Sequence, residues 1–280
     1  LAWLESGPIA FDCIEFNPQL RWIDVISDIA FLVMDLQQRK QYHLANRFLN
    51  SYLEITGDYA GLSVLPFYLC YRAMVRAKVT ALLLEQENIS KEERVQSLAT
   101  FESYLELARS YTLQASPKLI IMRGLSASGK STVAKKVLDI LGAIRIRSDV
   151  ERKRLFDIAV SEHASAEMNT GIYSVAASQQ TYGKLRELAA HVIAAGYSVI
   201  VDAAFLKHEQ REPFQKLTQQ LNVCYVIVEV TAPVEVLQQR ITERINDVSD
   251  ADLSVLQHQL TNWQALHENE VANTITVDTA

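Results

Sequence analysis

The sequence predicts an α/β fold, a parallel sheet with flanking helices, preceded by a mainly helical lobe. Three observations predict it. After Pro117, short apolar runs alternate with helical stretches. Before Ser116, apolar residues recur at helical spacing. Between the first apolar run and the first helix of the second half stands Gly124-Leu-Ser-Ala-Ser-Gly129-Lys130-Ser131, which fits the P-loop pattern G-x-x-x-x-G-K-[ST]. A chain of 280 residues, 49% of them apolar, has material for two cores, and the boundary is placed at 115/116.

In the first half, residues 10–16 read as a strand ending in carboxylates, Asp12 and Glu15. Asp28 is placed as the cap of a helix whose apolar stripe is Ile29, Leu32, Val33 and Leu36. Gly57-Asp58 and Gly61 mark a turn. The most hydrophobic stretch, 62–84, carries Arg72, Arg76 and Lys78, so it reads as a buried helix opened by Pro66 and not as a membrane span. Ser90 and Glu93 form a capping box for a helix with Val95, Leu98, Phe101, Leu105 and Ala108 on one face.

In the second half, strands read at 119–122, 143–146, 198–201, 223–230 and 274–277, with Gly196 as a helix stop before the third. In a parallel sheet, ligands sit beyond the C-terminal strand ends, so the residues following each strand carry the chemistry. The first strand leads into the P-loop, and a helix over 132–141 leaves it. Gly124, Ser126, Ala127, Ser128, Gly129, Lys130, Ser131 and Thr132 form the expected ATP cradle. Its glycines let the backbone close round phosphates, and amide N–H groups and the helix dipole point at them. Lys130 reaches the β- and γ-phosphates, and the Ser131 hydroxyl holds Mg²⁺.

Asp202 ends the apolar run Val199-Ile200-Val201 and reads as a metal-holding carboxylate or as a helix N-cap. Asp149 holds the same place after the second strand. It can take a proton from a substrate hydroxyl, cap the helix over 150–156, or do both. Arg152, one turn on, can bind an anionic group. The alternative for Arg152-Lys153-Arg154 is a solvated helix face. Arg240 and Arg244 share one helix face ahead of the polar stretch 246–250. They read as a lid that offsets charge on a moving phosphoryl group, or as a salt-bridged surface helix with Glu243.

The net charge of −6 argues against a life on nucleic acid or anionic membrane. Cys13, Cys70 and Cys224 are few and far apart, which points to a reducing, cytoplasmic compartment without a disulfide framework or zinc site. The six histidines lack ligand spacing. The chain opens at Leu1 in what reads as the middle of a domain, so a fragment of a longer protein is expected.

The P-loop, Ser148-Asp149-x-x-Arg152 after the second strand, Val201-Asp202-Ala203 after the third, and the arginine pair Arg240/Arg244 resemble the small P-loop kinases. That group includes gluconate kinases, polynucleotide 5′-kinases and zeta toxins. The resemblance covers 118–280 and implies ATP, Mg²⁺ and phosphoryl transfer to a hydroxylated small-molecule acceptor. By likeness to polynucleotide kinases, Asp149 would be the base and Arg152 a phosphate-binding arginine. An ATPase switch, a nucleotide-binding regulator without chemistry and a polynucleotide 5′-kinase are the alternatives. The last would use the basic cluster Arg145, Arg147, Arg152, Lys153 and Arg154.

Residues 1–114 resemble the C-terminal lobe of aminoglycoside phosphotransferase-like proteins, on Ala10-Phe11-Asp12-Cys-Ile-Glu15-Phe16, Gly57-Asp58-Tyr59 and Tyr71-Arg72-Ala73-Met-Val-Arg76-Ala-Lys78. That likeness implies Asp12 as a Mg²⁺ ligand, the alternative for Asp12 and Glu15 being a cap or salt bridge. The ATP lobe and catalytic loop of such a kinase would lie upstream if Leu1 is a truncation point, and otherwise the lobe is a substrate-binding or scaffolding remnant.

Overall fold

The computed structural model describes residues 2–4, 7–9, 17–85, 89–113, 116–158, 172, 174–243 and 253–280. The first elements are β1 (Ala2–Leu4), β2 (Gly7–Ile9), α1 (Pro18–Arg21), α2 (Val25–Gln38), α3 (Tyr42–Thr56), a 3₁₀ turn (Tyr59–Ser63), α4 (Leu65–Leu84) and α5 (Lys91–Ser110). Then come β3 (Lys118–Arg123), α6 (Lys130–Leu141), β4 (Ile144–Arg147), α7 (Ser148–Leu155), α8 (Val175–Ala194) and β5 (Val199–Asp202). The chain continues through α9 (His208–Leu221), β6 (Cys224–Thr231), α10 (Val234–Thr242), α11 (Leu253–Thr261), α12 (Glu268–Val271) and β7 (Thr274–Asp278). Among the described residues no helix is long and apolar enough to cross a membrane.

The chain forms two compact units, but not by a single break at 115/116. One unit joins Leu1–Gln38 to Leu65–Tyr111, and the other joins Arg39–Val64 to Thr112–Ala280. The sequence reading kept α3 with the helices around it. Its polar face instead answers the second half of the chain. Asn50 Nδ2 donates to the Ala143 carbonyl (3.1 Å), and Asn50 Oδ1 accepts from the Arg145 amide (2.7 Å). Arg47 pairs with Asp139 on α6 at 2.6 Å.

The first unit is built on α2, α4 and α5. Asp24, not Asp28, caps α2, its Oδ1 accepting from the Ile26 amide at 2.9 Å. Asp28 sits inside the first turn, where an acid suits the helix dipole. The buried face is Ile26, Ala30, Val33 and Met34, while Leu32 is exposed. The stripe is rotated because Arg72 of α4 donates to the Ser27 carbonyl and hydroxyl at 3.1 and 3.0 Å, which turns that side toward α4. Helix α4 starts at Leu65, three residues later than expected, because Asp58 caps the separate 3₁₀ turn through the Gly61 amide (3.1 Å). The capping box of Ser90 and Glu93 on α5 is formed. Ala108 is buried as expected, but its row runs through Tyr104, and Val95 and Leu98 are exposed. Tyr111 lies on the same row and donates to Gln37, which fixes that rotation.

The second unit holds a five-stranded parallel sheet in the order β4-β5-β3-β6-β7, each expected strand lying within a residue of its place. Ile120, Met122, Ile200, Val228 and Val230 pack with Ala134 and Leu138 of α6 on one face. Helices α8 and α9 cover the other, as a parallel sheet requires. The P-loop follows the central strand. Arg211 of α9, 0% exposed, donates to both Glu270 oxygens at 2.7 and 2.9 Å and to the carbonyls of Phe205 and Ala265. This ties the loop after β5 to the turn before β7. Burial pushes the Glu270 pKa up, but the Arg211 bonds and the His267 amide bring it down to about 2.

Two outcomes test this packing. Asn50→Ala leaves the Ala143 carbonyl and Arg145 amide unpaired inside the second unit, so it should lower unfolding free energy by about 1–3 kcal/mol in denaturant titration. A carboxyl whose folded pKa is depressed adds stability that is present above its ordinary pKa near 4.3 and is lost as pH falls toward about 2. The midpoint of acid unfolding should therefore fall in that window. Glu270→Gln should remove the acid-sensitive part while costing about 3–5 kcal/mol at neutral pH, because Arg211 is left buried without its anion.

Candidate functional site

Backbone register builds the site. Met122 on β3 pairs with Asp202 on β5, and Asp202 in turn pairs with Arg147 on β4. Three strand ends are thus level, and the loops that follow them meet. The P-loop leaves β3 through Gly124 at φ +154°, passes Ala127 in the left-handed region at φ +62°, and enters α6 through Gly129 at φ +85°. A Cβ on Gly124 would lie 2.4 Å from the Val230 carbonyl and 2.7 Å from Ser128 Oγ. Only glycine allows that turn.

The loop is held from three sides. Lys130 Nζ donates to the Leu125 carbonyl at 2.6 Å. The Ser126 amide donates to Gln259 Oε1 of α11 at 2.7 Å. Thr279, past the end of β7, donates its hydroxyl to the Ser128 carbonyl at 2.9 Å. The Ser128 hydroxyl is buried with no protein partner, beside Gly124, a polar atom suited to an anion held in the loop. Thr132 lies exposed in the first turn of α6.

Ser131 and Asp202 are brought together, the hydroxyl donating to Asp202 Oδ2 at 2.9 Å. Asp202 is buried. This hydroxyl–carboxylate pair, two oxygens of the kind Mg²⁺ takes, fits a cation beside the phosphate loop. Asp149 opens α7 on the neighbouring strand end. Part of its surface is open, yet protein atoms crowd its carboxyl and burial raises its pKa. Arg152, Arg147 and Lys130 pull the pKa back, and the Asp202 charge adds to the rise. Arg152, expected on the same side, donates to the Ile172 carbonyl (2.9 Å) and Ser178 Oγ (3.3 Å).

The alternative of a solvated basic face on α7 is overturned, since Glu151, Arg152 and Lys153 are all buried. Arg145 and Arg147 pair with Glu54 at 3.2 and 2.9 Å, and Arg154 pairs with Glu151. The sequence shows basic residues in a row. It does not show that α3 and the 3₁₀ turn supply Glu54 and Tyr59 to meet them, with Tyr59 donating to Glu151 at 3.1 Å.

Arg240 does reach the P-loop, donating to the Ala127 carbonyl (3.4 Å) and to Thr279 Oγ1 (3.1 Å) and carbonyl. Arg244, the stretch 246–250 and Asp12 lie outside the described residues.

A cavity of about 540 Å³ opens between α8, α9 and α11, lined among others by Arg152, Tyr182, Arg186, Lys207 and Gln259. Gln259 thus borders the cavity and the P-loop at once. Burial raises the Tyr182 hydroxyl to about 12, and it accepts from the Phe205 amide at 3.3 Å. Sequence reasoning missed Tyr182, Arg186, Lys207 and Gln259, since no motif marks them. Helices α8 and α11 and the residue before α9 bring them in after the chain has folded. His208, His267 and Glu270 also lie within metal-ligating distance of one another. Both Glu270 oxygens, however, already accept from Arg211.

A strand, a glycine-bent loop and a helix N-terminus, with a carboxylate on the adjacent strand, define a kinase-like P-loop domain. Residues 119–266 match the family model AAA_33, described as an AAA domain, and the chain belongs to that family. An uncharacterized protein of Mycobacterium bovis and two of Mycobacterium tuberculosis are each 30% identical over 272 residues, 96% of this chain and 53% of theirs. The chain spans about half the length of these curated relatives. Among solved structures, a sugar kinase from Janibacter is 23% identical, covering 58% of this chain and 85% of its own, with a TM-score of 0.45. A gluconokinase from Sinorhizobium meliloti is 22% identical, covering 59% and 85%, with a TM-score of 0.40.

The loop geometry sets a direct test. Gly124→Ala should bring the new methyl against the Val230 carbonyl, force the loop open and remove nucleotide binding. Isothermal titration with ATP should show at least a tenfold loss, the equivalent of about 1.4 kcal/mol.

Proposed function

We propose that the second unit moves the γ-phosphoryl group of ATP to a hydroxyl of a small acceptor held in the 540 Å³ cavity. The observation that carries this is the placing of that cavity. It shares Gln259 with the P-loop and Arg152 with the helix that bears Asp149. Bound ATP would bring the phosphoryl group, and Mg²⁺ would offset its charge.

The chain's own residues do the rest. Amides of the P-loop and of the first turn of α6, with the Lys130 ammonium, bind phosphate oxygens. Ser131 and Asp202 hold the cation. Asp149 takes the proton from the acceptor hydroxyl, and its raised pKa makes it a stronger base than an ordinary aspartate. Arg152 faces the cavity and offsets negative charge on the acceptor side. Arg186 and Lys207 outnumber Glu209 there, which suits an acceptor that carries an anionic group besides its hydroxyl. Arg240, joined by Arg244, would steady the loop and the moving charge. Catalysis of this kind is mostly positioning and electrostatics.

The inward, paired state of Arg145, Arg147 and Arg154 supports a small acceptor over a polynucleotide, because those charges are spent on carboxylates. For the region ahead of the P-loop we propose the phosphotransferase-like C-lobe reading, with Asp12 as its Mg²⁺ ligand.

A screen of hydroxylated metabolites for ATP-dependent phosphorylation tests the proposal, run on the chain and on two variants. Lys130→Ala should lose both ATP affinity and transfer. Asp149→Asn should keep ATP affinity and lose about 10²–10⁴-fold in transfer. Equal transfer in Asp149→Asn would leave that residue a helix cap. Phosphate release without any acceptor, untouched by Asp149→Asn, would make the protein an ATPase.

A further inference from the structure

Residues 54–59 hold three arginines, two of which, Arg145 and Arg147, stand on the strand next to that of Asp202. Glu54 Oε1 accepts from Arg147 Nη1 at 2.9 Å and Oε2 from Arg145 Nη2 at 3.2 Å. The Glu54 carbonyl accepts from Arg154 Nη2 at 2.6 Å. Arg154 lies so close to the chain here that a Cβ on Gly57 would come within 2.9 Å of its Nε, and Gly57 has φ +73°. The left-handed turn at Gly57 is the part that favours glycine.

Arg147 is the side chain that matters. It is opposite Asp202 in the sheet register and two residues before Asp149, and its guanidinium pairs with Glu54 within the field of the Asp202 and Asp149 charges. Guanidinium stays charged at any working pH and seeks a carboxylate. Were it to turn to Asp202, it would take the place of the cation. Arg145, the other partner of Glu54, also reaches the Ser131 carbonyl at 3.4 Å, so one carboxylate steadies neighbours of both metal-site residues.

We propose that Glu54, supplied by the segment before the P-loop half of the chain, is a positioning residue that holds Arg147 away from Asp202 and so keeps the Mg²⁺ site negative. This rests on the reading of Ser131 and Asp202 as the cation site. The proposal makes the metal site of the P-loop unit depend on α3, a helix more than sixty residues upstream of the loop.

ATP binding by the whole chain, titrated with Mg²⁺ from zero, tests it in the wild type, Glu54→Gln, Arg147→Gln and the double variant. Thermal melts verify that each is folded. In Glu54→Gln the Mg²⁺ concentration needed for half the full ATP affinity should rise roughly tenfold, a coupling usual for members of one ion-pair network. Metal-free ATP affinity should stay within about twofold, a few tenths of a kcal/mol. Arg147→Gln alone should leave the Mg²⁺ midpoint unchanged or lower it, and the double variant should return to within about twofold of wild type. An unchanged midpoint in Glu54→Gln, a raised one in Arg147→Gln, or a double variant as weak as Glu54→Gln would each overturn the proposal. Arg147→Gln carries the test should Glu54→Gln not fold. Wild-type ATP binding that ignores Mg²⁺ would instead bring down the cation-site reading, and this proposal with it.

Discussion

The register of three parallel strands is the constraint on which the site depends. Met122, Asp202 and Arg147 stand level across β3, β5 and β4. A slip of one residue would turn Asp202 to the other face and bring Val201 or Ala203 to the P-loop. The apolar faces prevent such a slip. Ile120 and Met122 on β3 and Ile200 on β5 are locked against α6, and every residue of β5 is buried. Packing chemistry therefore sets the 2.9 Å meeting of Ser131 and Asp202, although neither residue belongs to the core cluster.

Charge inside the second unit is used to join segments far apart in sequence. Arg211–Glu270 links the loop after β5 to the turn before β7. Arg123, lowered to about 10 chiefly by burial, pairs with Glu229 and lies 3.8 Å from the centre of the Trp263 ring. Glu54 links α3 to β4. Pairs of this kind add little net stability over apolar packing, but breaking one is costly, so they favour one arrangement over its rivals. A unit that carries both an anion cradle and a cation-binding carboxylate needs that selectivity. Its own arginines would otherwise be the first ligands of its acids.

Much of this could be read from the sequence where the signal is local. The P-loop, the five strands, the Ser90 capping box and Asp202 at a strand end rest on neighbours within a few residues. The failures have physical causes too. The stripes on α2 and α5 were rotated because Ser27 and Tyr104, small or amphipathic, join the contact face while Leu32, Val95 and Leu98 stay outside, although Ala108 is buried as expected. Hydrophobicity alone ranks those residues in the wrong order. The assignment of α3 failed because its partners, Ala143, Arg145 and Asp139, lie some ninety positions away, and no periodicity reports an Asn that bonds to a distant backbone. The same distance hid Glu54, Tyr182 and Gln259. Their roles come from which helices meet, not from their own neighbourhoods.

The chain crosses between its two units three times, after Gln38, after Val64 and after Tyr111. During synthesis this sets an order of events. Helix α3 leaves the ribosome long before β4 exists, and at ~5–20 residues per second it waits several seconds with Ala45, Leu49 and Leu53 uncovered. The sheet cannot close until β7, and the Thr279 bond that secures the P-loop follows that strand. Translation speed and chaperone capture would then act on this protein through one early helix, whose neighbours on α6 and β4 are made some ninety residues later.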